Sequence, residues 1–97
     1  MARSRFVYTL SQVAGMISEN LELIEEITAN FDNISEGELV YVSDGRKGLT
    51  PNGIEELQSL LADIRTWAGG IREFLVETQC DPEITDRIMV DEMKRGL

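Results

Sequence analysis

The stretch "SDGRKGLTPNG", residues 43–53, combines three glycines with Arg46 and Lys47 just ahead of a helical pattern, a composition that can cradle a phosphate. A nucleotide-binding P-loop has the order G-x-x-x-x-G-K-[ST], so that backbone amides hold the phosphates and the hydroxyl holds magnesium. Here Lys47 precedes Gly48, and Leu49 follows it, so the match fails. A looser anion site at the helix start over Thr50 to Gly53 competes with a plain hairpin turn followed by a helix cap. The second reading accounts for Arg46 and Lys47 as solubilising charges at a loop tip. Histidine is absent, which removes the usual general base near neutral pH and the commonest transition-metal ligand. No D-x-[DN]-x-[DN]-G calcium loop occurs. The single cysteine, Cys80, has no second thiol for a disulfide or a shared metal and reads as a small buried hydrophobe. These residues predict a non-enzymatic chain with no cofactor and no metal.

Charge carries more information. Eighteen acidic residues stand against nine basic ones, a formal charge of −9, and from Phe6 to Gly45 there is no lysine or arginine. Such a chain does not suit direct binding to nucleic acid or to an anionic membrane, both of which need basic surface. It suits a basic protein surface, whose approach it accelerates. The candidate partner-binding residues are Glu19, Glu22, Glu25, Glu26 and Asp32. On one continuous helix Glu19, Glu22 and Glu26 project opposite the apolar stripe, with Glu25 and Asp32 on its flank. The Glu22 to Glu26 contact is a like-charge i,i+4 pair with no lysine beside it to relieve the repulsion.

That helix is predicted over residues 9–34, from Leu10, Val13, Ile17, Leu21, Ile24, Ile27, Phe31 and Ile34 at steps of three and four. Thr9 and Gln12 form a capping box at its start. "ELVYVS", residues 38–43, alternates as a strand, Asp44-Gly45 is a hairpin turn, and "RKGLT" returns. "RFVY", residues 5–8, is a candidate third strand. Thr50 as N-cap and Pro51 at the first position open the main core helix, with Ile54, Leu57, Leu61, Ile64, Ala68, Ile71 and Leu75 on one face and Leu60, Trp67 and Phe74 as a second row. Gly69-Gly70 marks a break, a bend or a close packing contact. Asp81 and Pro82 begin a final helix, on which Ile84 and Ile88 share one side while Met89, Val90 and Met93, with Leu97 beyond, form a candidate apolar interface. The expected fold is α-rich α+β, three main helices with a small antiparallel hairpin between the first and second, in one compact domain over residues 1–97. An all-α bundle is the alternative.

Small size, strong acidity and the lack of a catalytic apparatus give the chain a composition that resembles the small anti-defence proteins of phages and mobile elements, including anti-CRISPR and DNA-mimic anti-restriction inhibitors. The resemblance covers the composition of the whole chain and no motif, so it assigns no residue a role. It implies a stoichiometric inhibitor that docks on the basic, nucleic-acid-binding surface of a defence complex such as a CRISPR effector. An antitoxin-like or regulatory subunit, acting through the outer side of the final helix as a homodimer or on a cognate protein, is the alternative. No apolar run of signal-peptide or membrane-span length occurs, and one unpaired cysteine suits the cytoplasm.

Overall fold

The computed structural model describes residues 7–41 and 46–95. Thr9 caps the first helix as its spacing to Gln12 predicts: the Thr9 hydroxyl accepts from the Gln12 N–H at 3.3 Å, and the Gln12 amide oxygen accepts from the Thr9 N–H at 2.9 Å. The helix so started, α1 (Leu10–Ile17), follows a short strand, β1 (Tyr8–Thr9). It does not run on to residue 34. Ser18 adopts the left-handed conformation with φ 57° and ends α1, and Asn20 then caps α2 (Leu21–Thr28), its side-chain oxygen accepting from the Leu23 N–H at 3.1 Å. A turn of 3-10 helix over Phe31–Asn33 follows α2.

Strands β2 (Leu39–Tyr41) and β3 (Lys47–Leu49) lead into α3 (Pro51–Ile64), α4 (Gly70–Glu77) and α5 (Pro82–Arg95). The α-rich α+β expectation therefore holds, but with five helices in place of three main ones. The second correction has the same kind of cause as the first. Arg65 closes α3, the chain turns through Thr66 to Gly69, and Gly70 enters α4 at φ +57°, a conformation that costs little without a Cβ. Glu73 reaches back to accept from the Gly69 N–H at 3.0 Å, while Gly69, as N-cap, has no side chain to cap the first turn of α4.

The sheet order is β1-β3-β2, antiparallel throughout, with Leu49 opposite both Tyr8 and Leu39. The hairpin is thus a sheet element and not a loop within an all-α bundle. The expected third strand exists as Tyr8–Thr9, while Arg5 and Phe6 lie outside the described residues, as do the Asp44-Gly45 tip and Leu97. Thr50 joins sheet to helix. Its hydroxyl caps α3 by accepting from the Gly53 N–H at 3.1 Å, its N–H donates to the Glu38 carbonyl at 3.0 Å, and its hydroxyl also bonds the Glu38 carboxylate. Gly53 permits the approach, because a Cβ there would lie 2.6 Å from the Glu38 carbonyl oxygen.

One hydrophobic cluster draws on α1, α2, β3, α3, α4 and α5. The predicted stripe of α3 and α4 supplies Ile54, Leu57, Leu61, Ile64, Ile71 and Leu75 to it, and Phe74 is buried with Trp67 at its margin, whereas Ala68, in the turn between the helices, is exposed. Leu23 is fully buried although it stands off the first stripe, because the break at Ser18 resets the helical phase. Among the described residues no helix is long and apolar enough to cross a membrane.

Candidate functional site

The five acidic residues marked by the sequence do not share one face. Glu19 lies in the α1–α2 junction, where both its oxygens accept from Arg65, at 2.9 Å from Nη1 and 2.8 Å from Nη2. The other edge of the same guanidinium donates to Glu92 of α5, from Nε at 2.7 Å and Nη2 at 2.9 Å. One arginine at the end of α3 thus holds the α1–α2 junction and α5 together by two forked pairs. The Glu19 side chain retains 7% of its exposure. The two carboxylates hold the Arg65 guanidinium well above its ordinary pKa, with Glu92 the larger influence and Glu19 the second.

Glu22 is also engaged. Arg87 of α5 meets it side-on, Nε to Oε1 at 3.0 Å and Nη2 to Oε2 at 2.6 Å. The hydrogen bonds from Arg87 hold the Glu22 carboxyl below the usual range, and Glu22 in turn raises the Arg87 pKa. The repulsion that α2 carries within itself is therefore relieved from another helix. Asn20, the α2 cap, bonds Asp91 of α5, and Glu26 lies beside the Cys80 thiol that precedes α5. Along α2 the partners step backwards through Asp91, Arg87 and Cys80, so α2 and α5 lie antiparallel across a polar seam. Burial pushes the Cys80 thiol up, which keeps it protonated and poorly nucleophilic.

Glu25 and Asp32 go elsewhere. Glu25 is exposed and lines an open cleft of about 390 Å³ with Thr9, Ser11, Arg46 and Lys47. Lys47 Nζ donates there to the Thr28 carbonyl at 3.3 Å. Asp32 is exposed at the other end of the hairpin, beside a second cleft that it shares with Ile34, Glu36 and Leu39. The Ser35 N–H donates to Glu56 Oε1 of α3 at 2.8 Å, which ties this turn to the first turns of α3 and brings Asp32, Glu36, Glu55 and Glu56 to one junction. Glu55 and Glu56 stand just past the first turn of α3, which itself carries no acid, so the expected benefit from the helix dipole does not reach them.

Exposed acids reach well beyond that junction: Asp63, Glu77, Asp81, Glu83, Asp86 and Asp91 also face solvent. Against them, Arg46, Arg72, Arg87 and Lys94 are the exposed basic side chains among residues 7–41 and 46–94. Of the candidate apolar interface, Val90 and Met93 retain 52% and 70% of their exposure, while Met89 packs against the core. Among the described residues no group of three or more histidine, cysteine, aspartate or glutamate side chains is placed to hold a metal ion.

Arg65, Arg87 and Glu92 were not signalled by the sequence, because their partners lie far off in the chain. Glu36 and Glu55 were visible as acids, with nothing local to separate them from the others. No protein family matches this chain, and no curated protein or solved structure shows significant similarity to it.

Proposed function

We propose that the chain is a non-enzymatic, acidic interaction protein that acts as a stoichiometric inhibitor by occupying a basic, nucleic-acid-binding surface of a defence complex such as a CRISPR effector. The observation that carries this reading is the excess of exposed carboxylates over exposed bases, which persists after Glu19, Glu22 and Glu92 are assigned to ion pairs. A field of one sign steers a basic partner and competes with a phosphate backbone for it. Among the five residues marked by the sequence, Glu25 and Asp32 are the better placed to meet such a partner, Asp32 together with Glu36 and Glu55. Glu19 and Glu22 are committed to Arg65 and Arg87, and Glu26 is half-buried beside Cys80.

The test is a titration of the protein into purified RNA-guided effectors of several types, with target-DNA binding as the readout. At least one effector is expected to lose DNA binding at one inhibitor per complex, with the effect fading as salt rises. DNA binding left intact in every type at low salt speaks against the proposal.

A second reading has its own observation. Val90 and Met93 are large, exposed and on the outer side of α5. A regulatory or antitoxin-like subunit would bury them in a homodimer or on a cognate protein. Sedimentation that shows a dimer, lost in a Val90→Ser, Met93→Ser variant, supports it; a monomer at high concentration contradicts the homodimer.

A further inference from the structure

Helices α3 and α5 have the same length, 14 residues, and are held in different ways. α3 buries Ile54, Leu57, Leu61 and Ile64 in the core. Among residues 82–94, α5 buries one apolar side chain, Ile88, and one polar one, Thr85, with Ile84 and Met89 packed part-way against the core. The other fastenings of α5 are polar: Arg87 to Glu22, Glu92 to Arg65, and Asp91 to Asn20. Arg87 retains 56% of its side-chain exposure and Glu22 33%, so water competes for their pair, which holds α5 less firmly than buried apolar surface holds α3.

The junction with α4 lets α5 move as a body. The Gln79 and Cys80 N–H groups donate to the Val76 and Leu75 carbonyls at 3.1 and 3.0 Å, with Gln79 at φ +61°, so the end of α4 is closed within its own last turn. The start of α5 is capped from its own side: the Asp81 carboxylate accepts from the Glu83 N–H at 2.8 Å, and the Asp81 carbonyl accepts from the Thr85 N–H at 2.9 Å. Among the described residues no backbone hydrogen bond joins α5 to another element. Each helix end is satisfied without the other, so a rotation at Cys80–Asp81 breaks neither cap.

We infer that α5 is a strap that lifts as one unit about Cys80–Asp81 while the sheet and α1 to α4 stay folded. Lifting parts Arg87 from Glu22, Glu92 from Arg65 and Asp91 from Asn20, and draws Ile88 out of the core. Arg65 keeps its forked pair with Glu19, so the α1–α2 junction stays tied to the end of α3. The apolar stripe of α3 and the Thr9 and Thr50 caps lie outside the contacts that break. The strap belongs to the fold and stands whether or not the protein is an inhibitor.

The experiment is native-state hydrogen exchange of the full chain, followed amide by amide in increasing urea below the unfolding transition. The amides of Asp86 to Asp91 should share one opening, with protection about ten-fold or more below that of Leu57 to Leu61 and a weaker dependence on urea, because lifting exposes less surface than unfolding. Ile54→Val, at the end of α3 far from Arg65, should lower α3 protection by about two- to ten-fold and leave α5 protection unchanged, because the lifted state keeps that packing. Arg87→Gln should lower both by the same factor, since its ion pair belongs to the closed state from which both openings start. Protection in α5 that equals that of α3 and falls with it in Ile54→Val would mean that α5 opens only with the whole fold, and overturns the strap. Protection graded along α5 from its end, with no shared opening, overturns it in favour of fraying. Protection of α5 unchanged in Arg87→Gln overturns the part given to the ion pair.

Discussion

Two acidic regions of this molecule have similar composition and opposite fates. In the α2–α5 seam Glu19, Glu22 and Glu92 are each engaged by two hydrogen bonds or more from an arginine, and their charge is spent inside the protein. At the junction of hairpin and α3, Asp32 and Glu36 face solvent on a turn that the Ser35 N–H ties to Glu56, and Glu55 faces solvent on α3 itself. The density of carboxylates along a chain therefore does not show which of them stay exposed in the fold. That depends on where the few arginines fold back to.

The largest expected effect lies in the seam. Arg65→Ala leaves Glu19, at 7% exposure, and Glu92 without their partner. Breaking a buried pair from one side costs about 3–5 kcal/mol; with Arg65 partly exposed, a loss of about 2 kcal/mol is expected. Thermal unfolding should show this as a Tm lowered by about 10 °C for a chain of this size. Any binding of a basic partner by the folded variant should change much less.

Next comes the junction. Neutralising Asp32, Glu36 and Glu55 together, as Asn, Gln and Gln, should weaken binding to a basic partner by roughly ten-fold at low salt while moving stability by no more than about 0.5 kcal/mol. Calorimetric titration and unfolding measured on the same preparation separate the two quantities. A large stability loss with unchanged affinity would merge the two regions and end the contrast.

Arg87→Ala should lower stability less than Arg65→Ala, because this pair stands nearer to solvent. Its pH dependence has a definite sign. Arg87 lowers the Glu22 pKa, so the stability the pair contributes is present above the ordinary carboxylate value and is lost as pH falls through the lowered one. Unfolding midpoints of the native chain and Arg87→Ala should therefore differ at pH 7 and converge as pH falls below the ordinary carboxylate value.

The smallest effect should be a gain. Ser18 ends α1 at φ 57°, where glycine is at ease, so Ser18→Gly should stabilise the fold by up to about 1 kcal/mol, read by chemical denaturation. A loss would mean that the Ser18 side chain matters more to the junction than its backbone does.

What was legible in the sequence was local. Thr9 with Gln12 and Thr50 with Pro51 act within one helical turn, and both operate as caps where their spacing placed them. The Asp81 carboxylate likewise accepts from the Glu83 N–H at 2.8 Å, at the start of α5. The breaks were half legible. Ser18 and Asn20 are capping residues, but the apolar stripe keeps its three-four spacing straight across them and suggests one helix where there are two. The seam was not legible at all. Arg65 lies 46 positions from Glu19, and Arg87 lies 65 from Glu22, distances at which only the packing of α5 against α2 decides who meets whom. The acids thus looked alike in sequence and became different in the fold.

The contrast can be measured without a partner. Paramagnetic relaxation of every amide by a cationic nitroxide, relative to its neutral analogue, reports how strongly each patch of surface draws positive charge. The expected result is a cation excess that peaks over Asp32 to Gly37 and the first turns of α3, and is clearly smaller at Glu19 and Glu22, where arginine already supplies the charge. An excess at Glu19 and Glu22 equal to or above that at the junction would contradict the account.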